Sequence, residues 1–491
     1  MTNVIRTEGL TEEELALAQF MQGTLNRGAR RVYIGAKYYM DYLSDEHEFC
    51  SVWELLEETS GEFEGLAVYD YAPGDESINL AATACAASRL LGIPRTLLAR
   101  VGKYGLSVEF DAANFKGTPA ERQRAVWLKF RDRLRRDCLV HQVTEKEGFR
   151  NRLRDFSVCR GAFTFFARPD TDEKFLSEVL AWADKNVPVY GWTTDEIEFV
   201  AALSRFGDYL IPCDWSFNHS YLYREKPVFL RQKRHYPKCR ADEKKHYIAF
   251  VVSDGDNVQW LERGFARESV YGQRLRGKKN YKVSWTAAPI LTQVCPEALE
   301  GIYTQAGKDE FICGVSGIGY TNCMTYPEEY LEEYARRTAE GMSRADMRIL
   351  ALLDNLANLG TDAEKRLETF AAFPNIDGGI WQLDPDRYEA GGGKIFWANE
   401  KPFVSVGVSL WHPSGDPKAV TKEWLDEIAG KFDARPADIY SEKGYTVVNV
   451  HPWTVDMEAL DYFVSRLDKH IIKIVTAGEL VSLVKEYVRK K

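Results

Sequence analysis

Residues 246–257 read His246-Tyr-Ile-Ala-Phe-Val-Val-Ser-Asp-Gly-Asp-Asn257. The apolar, β-branched and aromatic run at the start of this segment predicts a buried strand. Ser253-Asp-Gly-Asp-Asn257 then ends the strand with polar side chains around one glycine. An apolar strand that stops at a polar turn is typical of a parallel sheet whose functional groups lie at the carboxyl ends of its strands.

The same alternation of strand, polar end and helix continues along the rest of the chain. A length of about 245 residues with this rhythm matches a (β/α) barrel in size. We therefore predict an α/β protein with a barrel of seven or eight strands over residues 240–491. The predicted strands lie near residues 246–253, 282–288, 309–315, 347–353, 378–383, 402–410, 444–450 and 471–475. The predicted helices lie near residues 296–306, 327–342, 362–372, 420–432, 457–469 and 478–490.

The first half of the chain shows a less regular alternation, which is typical of small α/β modules packed in series. We assign residues 1–110 to N-terminal α/β modules and residues 111–235 to a further α/β module. The polar segment 231–245 is the predicted linker to the barrel. Strands are predicted at residues 31–35, 65–70, 162–166 and 187–191. Helices are predicted at residues 79–91, ending at Gly92, and at residues 173–185 and 195–206.

Composition excludes several classes of protein. At roughly 150 residues per domain, a chain of 491 residues predicts two or three domains. Lys and Arg total 64 against 73 Asp and Glu, and the resulting net charge of −9 disfavours nucleic acid as a partner. The 9 cysteines contain no C-x-x-C pair, which argues against a zinc ribbon or a disulfide scaffold. The oligomeric state is left open by the sequence.

The amino-terminal segment bears on localisation. Acidic Thr11-Glu-Glu-Glu14 stands where a signal peptide needs apolar residues, and the chain has no apolar run long enough to cross a membrane. We therefore expect a cytoplasmic protein without a membrane partner. A chain from which an export signal had been removed would read the same and would be exported.

Polar and aromatic residues follow six of the predicted barrel strands. In a barrel the residues after the strands meet at one rim, where barrels of this kind place their sites. We therefore expect these segments to lie together, whereas the opposite strand ends carry the less distinctive Lys282, Asp309 and Arg348. The rim segments are Ser253–Asn257, Ser316–Tyr320, Asp354-Asn355, Asp384-Pro-Asp386, Trp411-His412 and His451-Pro-Trp453.

Asp254-Gly-Asp256-Asn257 is the sharpest local signal in the sequence. Two carboxylates this close together can raise one pKa towards that of a general acid, or can share a cation. A calcium loop is excluded because Gln259 and Phe265 occupy the positions that require Gly and Glu. The alternative interpretation is that Asp256 or Asn257 caps the helix that begins at Val258.

Two further rim features have both functional and structural interpretations. Gly314-Val-Ser-Gly317-Ile-Gly319 lacks the order of a dinucleotide-binding loop, and we expect its glycines to let the backbone approach a ligand with Tyr320 beside it. The four histidines after residue 245 have no metal-binding spacing, so no metal site and no cofactor is predicted. The barrel region is rich in tryptophan, which suits stacking on sugar rings, although most large aromatic residues are core.

Several of these segments resemble the GxGYxYP family, whose members are described as candidate glycoside hydrolases. In this chain Asn322-Cys-Met-Thr325 separates the two halves of the namesake motif. The matching barrel segments are Gly317-Ile-Gly-Tyr-Thr321, Tyr326-Pro327, Ser253–Asn257, Val448–Pro452 and Val475–Leu480. The matching amino-terminal segments are Gln22–Arg27, Val68–Asp70 with Asn79–Ala82, Leu153–Phe156, and Cys213–Trp215 with Asn218.

The resemblance implies a carbohydrate substrate and a barrel related to glycoside hydrolases and polysaccharide deacetylases. Glycosidic cleavage needs one carboxylic acid and one carboxylate. We expect Asp254 or Asp256 as one member and Asp354 as the other, with Asp384 in reserve, and the sequence does not assign acid against nucleophile. The predicted catalytic set is Asp254, Asp256, Asp354 and His451. The predicted substrate-binding set is Asn257, Tyr320, Trp411, Asp384 and Trp453. Within it Asn257 and Tyr320, together with His451, would orient substrate hydroxyls, and Trp411 would form a stacking platform.

Two rival hypotheses remain. A metal-dependent carbohydrate deacetylase would use Asp254 as base, Asp256 as ligand of a divalent metal and His451 as acid, but the chain lacks the H-x-x-x-H pair expected for the metal. A glycan-binding protein without catalytic activity would keep the same barrel cleft.

Overall fold

The computed structural model of the protein describes residues 1–144, 152–232, 239–277, 280–354, 362–384 and 387–488. The chain divides into two compact units, Met1–Glu225 and Lys226–Lys491.

Three parallel sheets form the N-terminal unit. Its strands are β1 (Thr2–Ile5), β2 (Val32–Ile34), β3 (His47–Cys50), β4 (Gly65–Tyr69), β5 (Leu90–Pro94), β6 (Val108–Asp111), β7 (Arg135–His141), β8 (Ala162–Phe165), β9 (Pro188–Gly191) and β10 (Tyr209–Pro212). The strand orders are β2-β1-β3, β5-β4-β6 and β10-β9-β7-β8. Each sheet has too few strands to build a separate large core, so the three share helices between them.

The first helix of this unit contacts strands of two of its sheets as well as another helix. The helices are α1 (Glu12–Leu25), α2 (Val52–Thr59), α3 (Ser77–Ala86), α4 (Leu98–Val101), α5 (Pro119–Phe130), α6 (Arg154–Arg160), α7 (Glu173–Trp182), α8 (Glu196–Phe206) and α9 (His219–Leu222). Helix α1 begins at a capping box between Thr11 and Glu14 and is buried on all sides from Ala16 onward. It contacts α6, β5 and β2, which belong to different parts of the unit.

The side chain of Arg27, just after α1, ties two other helices to it. Its guanidinium donates hydrogen bonds to the carbonyls of Cys85 and Ser88 at the end of α3, at 2.5 and 2.8 Å, and to that of Val158 in α6 at 2.8 Å. Carbonyls at helix ends have no partner within the helix, so one planar cation satisfies several of them at once. Arg27 therefore has a structural role.

The predicted helix at residues 79–91 is wrong in its second half. The helix ends at Ala86, and Leu90–Pro94 forms β5, paired in parallel with β4. Gly92 does not end a helix; a Cβ at this position would lie 2.4 Å from the ring of Phe20. The glycine is there because α1 packs directly on this strand.

The C-terminal unit is a closed parallel barrel, which confirms the predicted fold class. Its strands are β11 (His246–Val252), β12 (Ser284–Ala287), β13 (Glu310–Cys313), β14 (Ile349–Asp354), β15 (Gly378–Leu383), β16 (Ile395–Ala398), β17 (Lys401–Leu410), β18 (Tyr445–Val450) and β19 (Ile472–Val475). Seven of these close the ring in the order β11-β12-β13-β14-β15-β17-β18. Strand β16 pairs antiparallel with β17 outside the ring.

The eighth predicted strand, β19, exists but does not complete an eight-stranded ring. It pairs with the first half of β11, from His246 to Ala249. Strand β12 pairs with β11 only at Val251 and Val252. The ring is therefore closed at the carboxyl end of β11, while β19 occupies the amino half of the same strand edge.

Helices cover the outside and one end of the barrel. They are α10 (Val258–Glu262), α11 (Val270–Arg276), α12 (Leu291–Val294), α13 (Pro296–Gln305), α14 (Glu328–Arg344), α15 (Ala363–Ala371), α16 (Lys422–Gly430), α17 (Met457–Arg466) and α18 (Ala477–Tyr487). Helix α18 contacts β11, β13, β15, β17 and β18, strands from all around the ring. The amide of Gly478 and the hydroxyl of Ser284 both donate to the buried carboxyl of Glu310. Helix α18 therefore covers the amino end of the barrel and leaves the carboxyl end for a site.

The amino ends of the strands are held by ion pairs. Asp309 accepts two hydrogen bonds from Arg274 at 2.9 Å, and both side chains are buried. Arg348 pairs with Asp377, and Lys282 pairs with Glu479 of α18. The charged residues that the sequence places at this end thus stabilise the barrel, as expected for the end away from the active site.

Two further observations concern the whole of the described chain. All nine cysteines are free thiols. Within the described residues, every helix is too short or too polar to span a lipid bilayer.

We expect the Arg27→Ala variant to lower the free energy of unfolding of the N-terminal unit by about 2–4 kcal/mol, because several largely buried carbonyls lose a charged donor. Urea titrations followed by circular dichroism measure the change. Arg27→Lys should recover only part of the loss, since an ammonium group cannot reach both helix ends. Arg131→Ala, at an exposed arginine, is the matched control and should leave the transition in place. Equal unfolding of Arg27→Ala and wild type would refute the structural role.

Candidate active site

The first rim segment turns sharply because two backbones meet there. Asp254 adopts a left-handed conformation with φ of 67°, and the amide of Gly255 donates to Thr286 Oγ1 at 2.9 Å. A Cβ on Gly255 would lie 1.9 Å from the carbonyl oxygen of Thr286. The hydroxyl of Thr286 in turn donates to the carbonyl of Val252 at 2.8 Å. This turn fixes the position of the Asp254 carboxylate at the carboxyl end of the barrel.

The carboxylate of Asp254 is held by side chains from two strand ends. Trp453 Nε1 donates to Asp254 Oδ1 at 2.7 Å, and the hydroxyl of Ser253 donates to Oδ2. His451 Nε2 lies 4.0 Å from Oδ2. The Asp254 side chain is still 17% exposed, so it is held by these contacts and remains accessible to solvent. We refer to the open carboxyl end of the barrel as the mouth.

His451 is clamped by an aromatic ring. The indole of Trp411 lies parallel to the imidazole, at 4.0 Å between ring centres and 5° between planes, and Nδ1 shares a hydrogen bond with Thr454 Oγ1 at 3.3 Å. Burial lowers the pKa of His451 below its usual 6.5, and the charge of Asp254 opposes this shift. The imidazole is therefore neutral at pH 7 and can accept or donate a hydrogen bond beside Asp254.

The two rim tryptophans differ in what they present to the mouth. Trp411 is half-buried, with one face on His451 and its edge near Tyr388, 5.2 Å between ring centres. Trp453 is 45% exposed, and its N–H bond to Asp254 and the neighbouring ring of Trp260, 4.8 Å away, fix its orientation. An exposed indole in a fixed orientation beside a carboxylate suits stacking on a sugar ring.

A second pair of carboxylates lies at the ends of β14 and β15. The amide of Asp384 donates to the carbonyl of Asp354 at 3.1 Å. Burial raises the pKa of the Asp384 carboxyl above its usual 3.8 and the charge of Asp354 raises it further, while a hydrogen bond from the Tyr388 amide opposes the shift. Asp354 itself is 1% exposed and accepts a hydrogen bond from Asn322 Nδ2 at 3.4 Å. Asp384 is thus the more accessible member and is biased towards its protonated form.

The remaining predicted residues of the rim segments are Asp256, Tyr320 and Asn257. Asp256 and Tyr320 are buried, with exposures of 7% and 2%. Asn257 is half-buried and precedes α10 without a side-chain capping bond; its amide side chain instead donates to the carbonyl of Asp254 at 3.4 Å. Asn257 therefore supports the turn that presents Asp254.

The glycine-rich segment before Tyr320 packs on a helix. A Cβ on Gly317 would lie 2.5 Å from Thr338 Oγ1 of α14. The hydroxyl of Tyr334, also on α14, donates to the carbonyl of Gly319 at 2.6 Å. The close approach of backbone that the glycines permit is thus to α14, which holds this loop against the barrel.

The contacts link most of the predicted residues into one arc around the mouth. Its neighbouring members are joined by the interactions given above, and each lies at or beyond the carboxyl end of a strand of the ring. Asn355 and Asp386, which the sequence also places at this rim, lie outside the described residues. His412 points to a different neighbour, with Nδ1 2.8 Å from Ser414 Oγ and its ring near Trp424. In order, the arc contains Asp254, His451, Trp411, Tyr388, Asp384, Asp354 and Asn322.

A polar layer lies below the mouth, inside the barrel. Gln382 of β15 donates to Asn449 of β18 at 3.2 Å, although β17 separates the two strands, so both side chains point into the barrel. Asn449 donates to Ser409 of β17 at 3.0 Å. Sequence reasoning missed these residues, as it missed Thr286 and Tyr388. Polar residues at alternate positions near strand ends were the available signal for Gln382, Ser409 and Asn449.

A metal site needs several donor side chains that meet at one point. Within the described residues, no group of three or more His, Cys, Asp or Glu side chains is placed to hold a metal ion. Asp254 and His451 face each other, but Asp254 already accepts hydrogen bonds from Ser253 and Trp453.

Comparisons with known proteins place this arrangement in a family. A crystal structure of a putative hydrolase from Bacteroides thetaiotaomicron VPI-5482 has a similar fold, with a TM-score of 0.85 and 23% sequence identity over 100% of this chain and 95% of that chain. No curated protein matches the sequence. Residues 244–485 match the GxGYxYP putative glycoside hydrolase C-terminal domain, and residues 139–223 match the GxGYxYP third domain. With models of one family matching its barrel and part of its N-terminal unit, this chain belongs to the GxGYxYP family.

Proposed function

We propose that the protein is a glycoside hydrolase that cleaves its substrate at the carboxyl end of the barrel, with Asp254 and Asp384 as the carboxyl pair. The observation that carries the proposal is their placement around the ring. Asp254 follows β11 and Asp384 follows β15, with β17 and β18 between them on one side and three strands on the other. Two carboxyl groups that flank a mouth from opposite sides fit an acid and a carboxylate on either side of a glycosidic bond.

The surroundings of Asp384 and Asp254 favour different catalytic roles for the two carboxyl groups. Burial and the charge of Asp354 raise the pKa of Asp384, which favours this carboxyl as the acid that donates a proton to the leaving oxygen. Asp254 accepts hydrogen bonds from Ser253 and Trp453, which orient a carboxylate for attack on the sugar or for activation of water. Asp354 acts through Asp384 as a positioning residue. Asp256 is the alternative to Asp254 from the same segment.

The aromatic residues complete the proposal. Trp453 offers an exposed ring next to Asp254, so a sugar stacked on it would have its anomeric carbon near this carboxylate. His451, neutral at pH 7 and fixed by Trp411, would hold a substrate hydroxyl. The family's description and the architecture of the barrel support a carbohydrate as substrate.

We expect Asp254→Asn and Asp384→Asn each to reduce hydrolysis of a natural glycan by about 10²–10⁴-fold, the usual contribution of an acid or base group. Aryl glycosides with a 2,4-dinitrophenol leaving group separate the roles, since this group departs without protonation. On that substrate Asp384→Asn should recover most of its activity and Asp254→Asn should not. Reducing-sugar and dinitrophenolate release are the measurements.

The controls for this experiment test the rival hypotheses. Asp433→Asn, at an exposed carboxylate, should have wild-type activity. Asp256→Asn is assayed in parallel, and a larger loss there than in Asp254→Asn would transfer the role to Asp256. Loss of activity on chelation, restored by a divalent metal, would favour a deacetylase. Oligosaccharide binding without turnover by the wild-type protein would favour a glycan-binding protein.

The pH dependence of the protein's thermal stability should reflect the ionisation of Asp384. Because its pKa in the folded state is above the usual 3.8, the protein binds this proton more tightly when folded. The stability that this proton contributes is complete below pH 3.8 and is lost as the pH rises through the folded-state pKa. Asp384→Asn should therefore melt at a higher temperature than wild type at pH 7, and the difference should shrink towards pH 4. Calorimetric melting curves across this range measure it; a lower melting temperature for the variant at pH 7 would contradict the assignment.

Trp453→Phe and Trp453→Leu separate the two contributions of this residue. The Phe variant keeps an aromatic surface but loses the N–H donor to Asp254, so kcat should fall about tenfold, the effect of about 1.4 kcal/mol on the barrier, with little change in KM. The Leu variant also loses the stacking surface, and its KM should rise as well. Steady-state kinetics on an aryl glycoside give both constants. Trp424→Phe is the control, and equal kinetics in all four proteins would remove Trp453 from the site.

A further inference from the structure

A second cavity lies at the amino end of the barrel, away from the carboxyl rim. It has a volume of about 600 Å³ and is lined by the segment before β12, the start of β19 and one face of α17. Four of its lining residues are Lys282, Lys308, Lys469 and Lys473. This volume is within the range of small-molecule sites, which are commonly about 300–1,000 Å³.

The cavity exists because of the way the ring is closed. Strand β19 pairs with β11 from His246 to Ala249, and β12 pairs with β11 only at Val251 and Val252. The two strands share one edge of β11 without pairing with each other among the described pairings. A wedge is left between Tyr281 and the start of β19. We refer to this wedge, with its four lysines, as the seam cavity.

The seam cavity is cationic in a chain whose net charge is −9. The acidic residue among those that line it is Asp461, whose Oδ1 accepts a hydrogen bond from Tyr281 at 2.6 Å. Lys473 is oriented by a hydrogen bond to the carbonyl of Arg240 at 2.6 Å, and Lys282 by its ion pair with Glu479. Lys308 and Lys469 are exposed residues at the wall of the cavity. Because Glu479 offsets the charge of Lys282, the excess of positive charge comes from Lys308, Lys469 and Lys473. An excess of lysine over carboxylate on a concave surface attracts a compact anion.

We propose that the seam cavity binds a small phosphate or sulfate ester of about the size of a monosaccharide. Lysine ammonium groups are point-charge donors that suit both anions, and the two esters share this recognition chemistry. The remaining volume of the cavity accommodates the rest of a sugar-sized molecule, with Val464, Ile472 and Ile474 as its apolar wall. The site is separate from the proposed reaction at the carboxyl rim and does not depend on it.

The test is isothermal titration calorimetry of the full chain with glucose 6-phosphate, glucose 6-sulfate and glucose at one ionic strength. We expect at least one ester to bind and glucose to give no heat. The Lys308→Gln/Lys469→Gln double variant should weaken ester binding by at least about tenfold, the effect of about 1.4 kcal/mol. The Lys308→Arg/Lys469→Arg variant should retain it. Binding of one ester alone would identify the anion that the cavity takes.

Two controls make the experiment specific. Lys418→Gln/Lys431→Gln removes two exposed lysines elsewhere on the barrel unit and should bind the ester as the wild type does. Asp254→Asn should also bind it normally, because the seam cavity is at the other end of the barrel. Circular dichroism confirms that each variant is folded. Absence of heat from both esters, or equal affinity in the Gln double variant and the wild type, would overturn the proposal.

Discussion

The contact between Gly255 and Thr286 is the constraint on which the barrel unit depends. The backbone of the first rim turn is so close to β12 that a side chain on Gly255 would overlap the Thr286 carbonyl oxygen. The ring also closes here, through pairing of β12 with Val251 and Val252. The same contact therefore both closes the barrel and sets the position of the Asp254 carboxylate. A residue larger than glycine at this position would separate β12 from β11 and would move the carboxylate that the proposed chemistry uses.

The sequence was sufficient for the barrel strands because a parallel barrel buries both faces of each strand. Such strands are continuous apolar runs, and every one of the eight predicted segments overlaps a strand of the structure. The number of strands in the ring could not be read in this way, since β19 differs from the others only in what it pairs with. The helix predicted over residues 79–91 failed because Leu90 and Leu91 continue its apolar pattern, while the packing of Phe20 on Gly92 makes this segment a strand.

Some features of the candidate site can be predicted from the sequence next to a strand end, and others depend on contacts between distant strands. Residues next to strand ends, such as Asp254 and Asp384, could be found from position alone. The parallel stacking of Trp411 on His451 and the N–H bond from Trp453 to Asp254 join different strands, so they required the register of the sheet. The sequence analysis places both tryptophans in the substrate-binding set and predicts Trp411 as the stacking platform. Exposure separates them, since Trp453 presents its ring to the mouth and Trp411 supports an imidazole.

The order of the strands in the ring also constrains how the protein is made. The first barrel strand, β11, lies between β12 and β18, and His246 bonds with Thr446, 200 residues later in the chain. Helix α18, which covers the amino end of the barrel, comes later still. Domains generally form as units while the chain is being synthesised, beginning with the N-terminal one. The N-terminal unit can thus fold on the ribosome, but the barrel cannot close until β18 has been synthesised. Until then its apolar strands have no permanent neighbours and would be substrates for chaperones.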